Sequence, residues 1–224
     1  MWRDEPVTLI DTAGLRRRGK IEPGIEKFSS LRALKAIQRA DVVLLVLDAA
    51  EGTLAQDAHI ASYVLEEDKG IVLVVNKWDL IEKETKTMDE FSARLRAAFN
   101  FIPYAPIIFV SAKTRQRIAS VLDTALRVRA ELRTRVPTSE LNELLREATA
   151  QHAPATKGKR ILKFYYATQV GIVPPTFVFF VNHKDLVHFS YERYLENKIR
   201  ERWNLTGAPI RLLFRPHRKN EPLG

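Results

Sequence analysis

Val7-Thr8-Leu9-Ile10 running into Asp11-Thr12-Ala13-Gly14, Val72-Leu73-Val74-Val75 running into Asn76-Lys77-Trp78-Asp79, and Ile108-Phe109-Val110 running into Ser111-Ala112-Lys113 share one pattern. Each is a short, β-branched, nearly continuous apolar run that stops abruptly at polar residues. Such runs suit strands buried on both faces, as in a parallel sheet covered by helices. Val42–Leu47 is a fourth run of the same kind. Between the runs lie amphipathic stretches of helical length at about Phe28–Arg39, Leu54–Glu66, Met88–Asn100 and Ile118–Arg133. Strand and helix alternating in this way predict an α/β fold with a parallel sheet. Open sheets of that class bind ligands beyond the carboxyl ends of their strands. The polar residues that close each run are therefore the candidate site.

The pattern changes around Thr134–Pro137. Pro137-Thr138-Ser139-Glu140 reads as a helix start, with Leu141, Leu144, Leu145 and Ala148 as its apolar stripe. A basic linker follows, Lys157-Gly158-Lys159-Arg160, and then two strand-like runs, Ile161–Val170 and Thr176–Asn182, around a Gly/Pro turn. A helix over about Tyr191–Asn204 sets Tyr191, Leu195, Ile199 and Trp203 on one side and Arg193, Asn197 and Arg200 on the other. A last strand, Ile210–Phe214, completes an α-β-β-α-β unit. The expected organisation is a first domain over residues 1–135 and a small α+β domain over 136–224.

Composition narrows the function classes. The 224 residues include no cysteine, which removes disulfides, thiolate metal sites and cysteine nucleophiles. The five histidines lack metal-ligand spacing and read as surface or packing residues. No apolar run reaches bilayer-spanning length and residues 1–20 carry charges throughout, so a cytoplasmic, monomeric protein with no membrane partner is expected. The net charge of +9 is uneven: residues 137–224 hold 14 Lys+Arg against 8 Asp+Glu. A basic excess in the smaller half suggests a polyanionic partner, RNA ahead of membrane, although a solvated basic surface looks the same in sequence.

Taken in order, the three strand-end motifs resemble the third, fourth and fifth motifs of the G-domain (Ras-like) GTPases. The resemblance implies GTP or GDP as ligand and assigns roles. Asp79 would accept from the ring N–H and exocyclic amino group on one edge of guanine, a pair of donors that adenine lacks. Asn76 would brace the loop and face the base, Lys77 would lay its methylene stem along the ring, and the backbone N–H of Ala112, between Ser111 and Lys113, would reach the guanine oxygen. Asp11 would hold Mg²⁺ through water, and the N–H of Gly14 would sense the γ-phosphate.

Gly14-Leu15-Arg16-Arg17-Arg18-Gly19-Lys20 has the spacing of a phosphate-binding loop but not its chemistry. Ile21 stands where a hydroxyl should ligate Mg²⁺, and Glu22-Pro23-Gly24 cannot carry a helix out of the loop. The segment reads instead as a switch loop. No other stretch supplies the phosphate loop or the switch threonine, so the chain is expected to begin inside its G domain and to lack that domain's first strands. In the G-domain fold the missing strand would lie between the one ending at Asp11 and Val42–Leu47. Their edges should then be exposed and the first domain poorly stable, and this chain is not expected to hydrolyse GTP.

The string Asp11–Ile21, the Asn76–Leu80 stretch and the α-β-β-α-β tail narrow the resemblance to the Der (EngA) family, covering its second G domain and KH-like domain. That family implies GTP hydrolysis, a role in assembly of the large ribosomal subunit, rRNA as partner, and contact between G domain and KH-like domain. Leu15 stands where Ras-like enzymes carry the water-orienting glutamine. The tail lacks the Gly-x-x-Gly loop of RNA-binding KH domains. RNA contact would fall to Lys157, Lys159, Arg160, Arg193, Arg200, Arg211, Arg215, Arg218 and Lys219. The alternatives are a non-catalytic RNA- or ribosome-binding module and a tail that docks on G domains. Phe164, Tyr165, Tyr166, Phe177, Phe179 and Phe180 read as core rather than as a base-stacking platform.

Overall fold

The structure is a computed structural model that describes residues 1–11, 33–53, 55–82, 84–154, 156–157 and 160–217, the last two of these before 160 for their backbone alone. The chain divides into two compact units, Met1–Arg129 and Ala130–Gly224.

The first unit is built on β1 (Val42–Asp48), β2 (Gly70–Asn76) and β3 (Ile107–Phe109), parallel throughout and ordered β1-β2-β3. Helical residues 33–39 (α1) precede β1, α2 (Ala55–Glu66) links β1 to β2, α3 (Thr87–Ala98) links β2 to β3, and α4 (Ile118–Glu131) follows. β2 is buried along nearly its whole length because both its faces are covered. Ile71, Leu73 and Val75 join one core with Ala61 and Val64 of α2 and Phe91 and Leu95 of α3. Val72 and Val74 point the other way, onto Val121 and Val128 of α4. The period-2 alternation of a strand thus serves two helical layers, which is why the run shows no polar face in sequence.

Residues 7–10 depart from the expected buried strand. They form no strand, and Leu9 and Ile10 are 72% and 42% exposed. A strand exists through its neighbour's ladder, and among the described residues β1 pairs with β2 alone. The preceding residues are held elsewhere. Trp2 and Glu5 bridge each other, the Trp2 indole N–H and the Arg3 guanidinium donate to Asp123 of α4 at 2.8 and 2.7 Å, and Glu5 pairs with Arg129 at 3.2 Å. Between residues 6–11 and the edge of β1 lies a cavity of about 760 Å³, lined by apolar residues of β1, α1 and α4 such as Leu44, Ile37 and Leu126. Val46 on that side of β1 is 52% exposed.

The second unit takes in the end of α4 and then α5 (Thr138–Gln151), whose stripe of Leu141, Leu144, Leu145 and Ala148 is buried. β6 (Phe164–Ile172) and β7 (Pro175–Val181) pair antiparallel, and β8 (Arg211–Pro216) pairs parallel to β7, after α6 (Phe189–Trp203). This is the α-β-β-α-β order. The basic linker of the sequence reading is not structureless: β4 (Thr156–Lys157) and β5 (Arg160–Ile161) form a two-residue antiparallel pair. The aromatic runs split by face. Phe177 and Phe179 are fully buried under α5 and α6, whereas Tyr166 and Phe180 stack at 4.3 Å on the opposite face and Tyr165 is exposed. Asn142 of α5 clamps β6 like a neighbouring strand, accepting from the Ala167 N–H at 2.8 Å and donating to the Ala167 carbonyl at 2.8 Å. Both main-chain groups of a buried residue are satisfied by one amide.

Candidate functional site

At the carboxyl end of the first sheet, three strand termini are stitched together by hydrogen bonds. The Ala49 N–H, just past β1, donates to the Asn76 carbonyl at 2.9 Å, and the Trp78 N–H donates to the Val110 carbonyl at 3.0 Å. The Ala112 N–H donates to Asn76 Oδ1 at 3.0 Å, so one side chain ties the turn after β2 to the loop after β3. Ser111 is fully buried; its Oγ accepts from the Thr114 N–H at 3.1 Å and holds that loop's curl. Lys113 is exposed.

The turn itself has two unusual features. Lys77 sits in the left-handed region at φ 62° and ψ 31°, where non-glycine residues are uncommon. Trp78–Leu80 then form a single 3₁₀ turn whose Trp78 side chain points inward, 5.4 Å from Phe91 and 4.4 Å from Phe109 between ring centres. With Trp78 directed into the core, its neighbour Asp79 lies at the rim, half-buried, with Oδ1 shut off from solvent.

Sequence reasoning missed Asp48. It ends β1 in register with Asn76, is only 3% exposed, and lies 2.6 Å through Oδ2 from Lys77 Nζ. Its Oδ1 accepts the Ala50 N–H at 3.0 Å. Burial pushes the Asp48 carboxyl up, but the Lys77 ammonium and the N–H groups of Ala50 and Glu51 outweigh it and hold it below its usual value. One signal was available: an acidic residue terminating an otherwise wholly apolar strand.

Asn76, Lys77, Asp79, Ser111 and Ala112 thus converge, and Asp48 joins them. Their donor set suits a planar, polar-edged base: a carboxylate, an amide and backbone groups beside a lysine stem. Asp11 is exposed on the irregular segment 6–11, and Gly14 and Leu15 lie outside the described residues. Among the described residues no group of three or more His, Asp or Glu gathers that could hold a metal ion.

Of the basic residues assigned to RNA, Arg160, Arg193, Arg211 and Arg215 are exposed. Lys159, Arg218, Lys219 and the Lys157 side chain lie outside the described residues. Arg200 does not belong with them. Its side chain is 11% exposed, it donates to Glu196 Oε1 at 2.8 Å and to the carbonyls of Leu205 and Ala208 at 2.9 and 2.7 Å, and it closes the turn after α6. Among the described residues no helix is long and apolar enough to cross a membrane.

A parallel sheet with polar side chains and main-chain N–H groups gathered beyond the carboxyl ends of its strands has the architecture of the ligand-binding α/β class. Residues 2–131 match the family described as the elongation factor Tu GTP binding domain, and residues 135–215 match the one described as KH-domain-like of EngA bacterial GTPase enzymes, C-terminal. "GTPase Der" of Chloroflexus aggregans is 54% identical over 218 residues, covering 97% of this chain and 49% of that protein. "GTPase Der" of Thermomicrobium roseum is 52% identical over 224 residues, covering 99% and 49%. A solved structure of Aquifex aeolicus Era bound to GDP.AlF4- aligns with a TM-score of 0.42 at 14% identity, over 90% of this chain and 74% of that one. The chain belongs to the Der (EngA) GTPase family. It spans about half the length of the curated relatives it matches.

Proposed function

We propose that the first unit binds guanine nucleotides, GTP or GDP, by their base, through the turn after β2 and the loop after β3. The observation that carries this reading is the Asn76 Oδ1 bond to the Ala112 N–H, which ties the turn that carries Asp79 to the loop after β3. Asp79 reads the two donors of the guanine edge, and the Ala112 N–H is shared with or released to the guanine oxygen. In the longer protein, hydrolysis of GTP and a role in assembly of the large ribosomal subunit in the cytoplasm complete the assignment. To this chain we assign base recognition through the residues that close β2 and β3. The apolar cavity beside β1 supports a further strand seated there, and we place the boundary in sequence between the two functional parts near residues 135 and 136.

Calorimetry with GDP and ADP, on this chain and on the full-length gene product, tests the reading. GDP should bind the full-length product roughly a hundredfold or more tightly than ADP, since a half-buried carboxylate facing adenine loses both of its donors. Equal affinities would overturn it.

A second reading concerns the second unit. Arg211 and Arg215 are exposed on the same side of β8, with Leu213 between them, and Arg193 is exposed on α6. These support contact with ribosomal RNA through phosphates. Binding of ribosomal RNA should weaken steeply as salt rises, and Arg211→Gln with Arg215→Gln should flatten that slope by about two phosphate contacts. A slope unchanged by the double substitution rejects this surface.

A further inference from the structure

Asp48 ends a strand that is otherwise wholly apolar, and its two oxygens have fixed directions. One accepts the Ala50 N–H at 3.0 Å and the other lies 2.6 Å from Lys77 Nζ. The main chain there is closed as well, by the Gly52 N–H donating to the Asp48 carbonyl at 3.0 Å. The acceptor is therefore held rigidly before the lysine reaches it.

Lys77 has the opposite character. Its side chain is half-exposed, yet both of its ends are held: the backbone by a left-handed turn, the ammonium by a buried carboxylate. An ordinary surface lysine samples many rotamers along its four-carbon stem. Here the ammonium is anchored while the side chain as a whole stays half-exposed, in the same turn as Asn76 and Asp79.

We propose that Asp48 is a positioning residue of the base site, anchoring the Lys77 ammonium so that the lysine stem stands as one wall of the slot that takes the purine ring. The inference rests on the guanine-nucleotide reading above. It accounts for a charged group at the end of an apolar strand, where burial without a partner is strongly disfavoured.

Asp48→Asn keeps the shape and the acceptor for Ala50 but removes the charge; Lys77→Met keeps the stem but removes the ammonium. Each should weaken GDP binding by the full-length product by roughly tenfold to a hundredfold, the range of a lost hydrogen bond to a charged group. The double variant should be no weaker than the weaker single, because both substitutions break the same contact. Thermal midpoints recorded in parallel keep folding separate from binding. A second readout needs no ligand and no variant. In the wild type the Lys77 Cε should show an ordered NMR signature, against the mobile signature of exposed lysines such as Lys113.

Additive losses, GDP affinity within about twofold of wild type in folded Asp48→Asn, or a freely mobile Lys77 Cε would each overturn the inference while leaving the guanine reading intact. Failure of the wild type to prefer GDP over ADP would overturn both.

Discussion

Asp79→Asn is expected to exchange the purine that the site accepts rather than simply to weaken it. Guanine offers two donors side by side, a ring N–H and an amino group, and a carboxylate meets both because it is acceptor-only. An asparagine amide presents one acceptor and one donor, so its NH₂ confronts the guanine amino group and one charge-assisted pair is lost. Loss of a hydrogen bond to a charged group costs about 1.5–3 kcal/mol, and the donor clash adds to it, so GDP affinity should fall roughly a hundredfold or more. Xanthine carries an oxygen in place of that amino group. It offers one donor and one acceptor in the order an asparagine amide matches, and xanthosine diphosphate should bind the variant better than GDP does. Calorimetry with GDP, ADP and xanthosine diphosphate on wild type and variant checks this. A uniform loss for all three would mean that Asp79 shapes the turn and does not read the base. The half-buried Asp79, with Oδ1 closed to solvent, predicts discrimination instead.

The parts of this protein that were legible in its sequence are those whose surroundings are apolar on every side. β1, β2 and β3 announce themselves because a strand between two helical layers has no polar face to interrupt the run. The motif residues that close them followed from position alone. Residues 7–10 carry the same signature yet form no strand, since composition records that a segment suits burial but not whether a neighbour is there to pair with it. Asp48 was passed over because Asp48-Ala49-Ala50-Glu51-Gly52 has ordinary turn composition; its partner comes from the next strand end, a relation that only the register of β1 on β2 creates. Arg200 was misplaced for a related reason. A helical wheel puts it with Arg193, but the chain after α6 turns back and offers its Leu205 and Ala208 carbonyls to the guanidinium. Long-range partners decide such cases, and local periodicity does not contain them.

Trp78→Ala is expected to cost about 3–5 kcal/mol, the usual range for deleting a buried aromatic. The indole is nearly inaccessible and belongs to a three-ring cluster in which Phe91 and Phe109 also meet, at 5.9 Å. Phe91 belongs to α3 and Phe109 to β3, so Trp78 is the contact through which the turn after β2 grips both neighbouring elements. Small domains hold about 5–15 kcal/mol in total, so such a loss is a large fraction of the stability of the first unit. Denaturant unfolding followed by circular dichroism should show the first unit of Trp78→Ala unfolding at markedly lower denaturant, while Trp78→Phe, which retains a ring between Phe91 and Phe109, should retain most of the stability. The same substitution bears on function. The Trp78 N–H bond to the Val110 carbonyl and the inward indole together set where Asp79 emerges, so GDP affinity should fall in Trp78→Ala even at low temperature, where the fold persists, and fall far less in Trp78→Phe. A Trp78→Ala protein within about 1 kcal/mol of wild type, too small a change for a filled aromatic site, would show that the cluster does not organise the turn and that Asp79 is placed by the backbone alone.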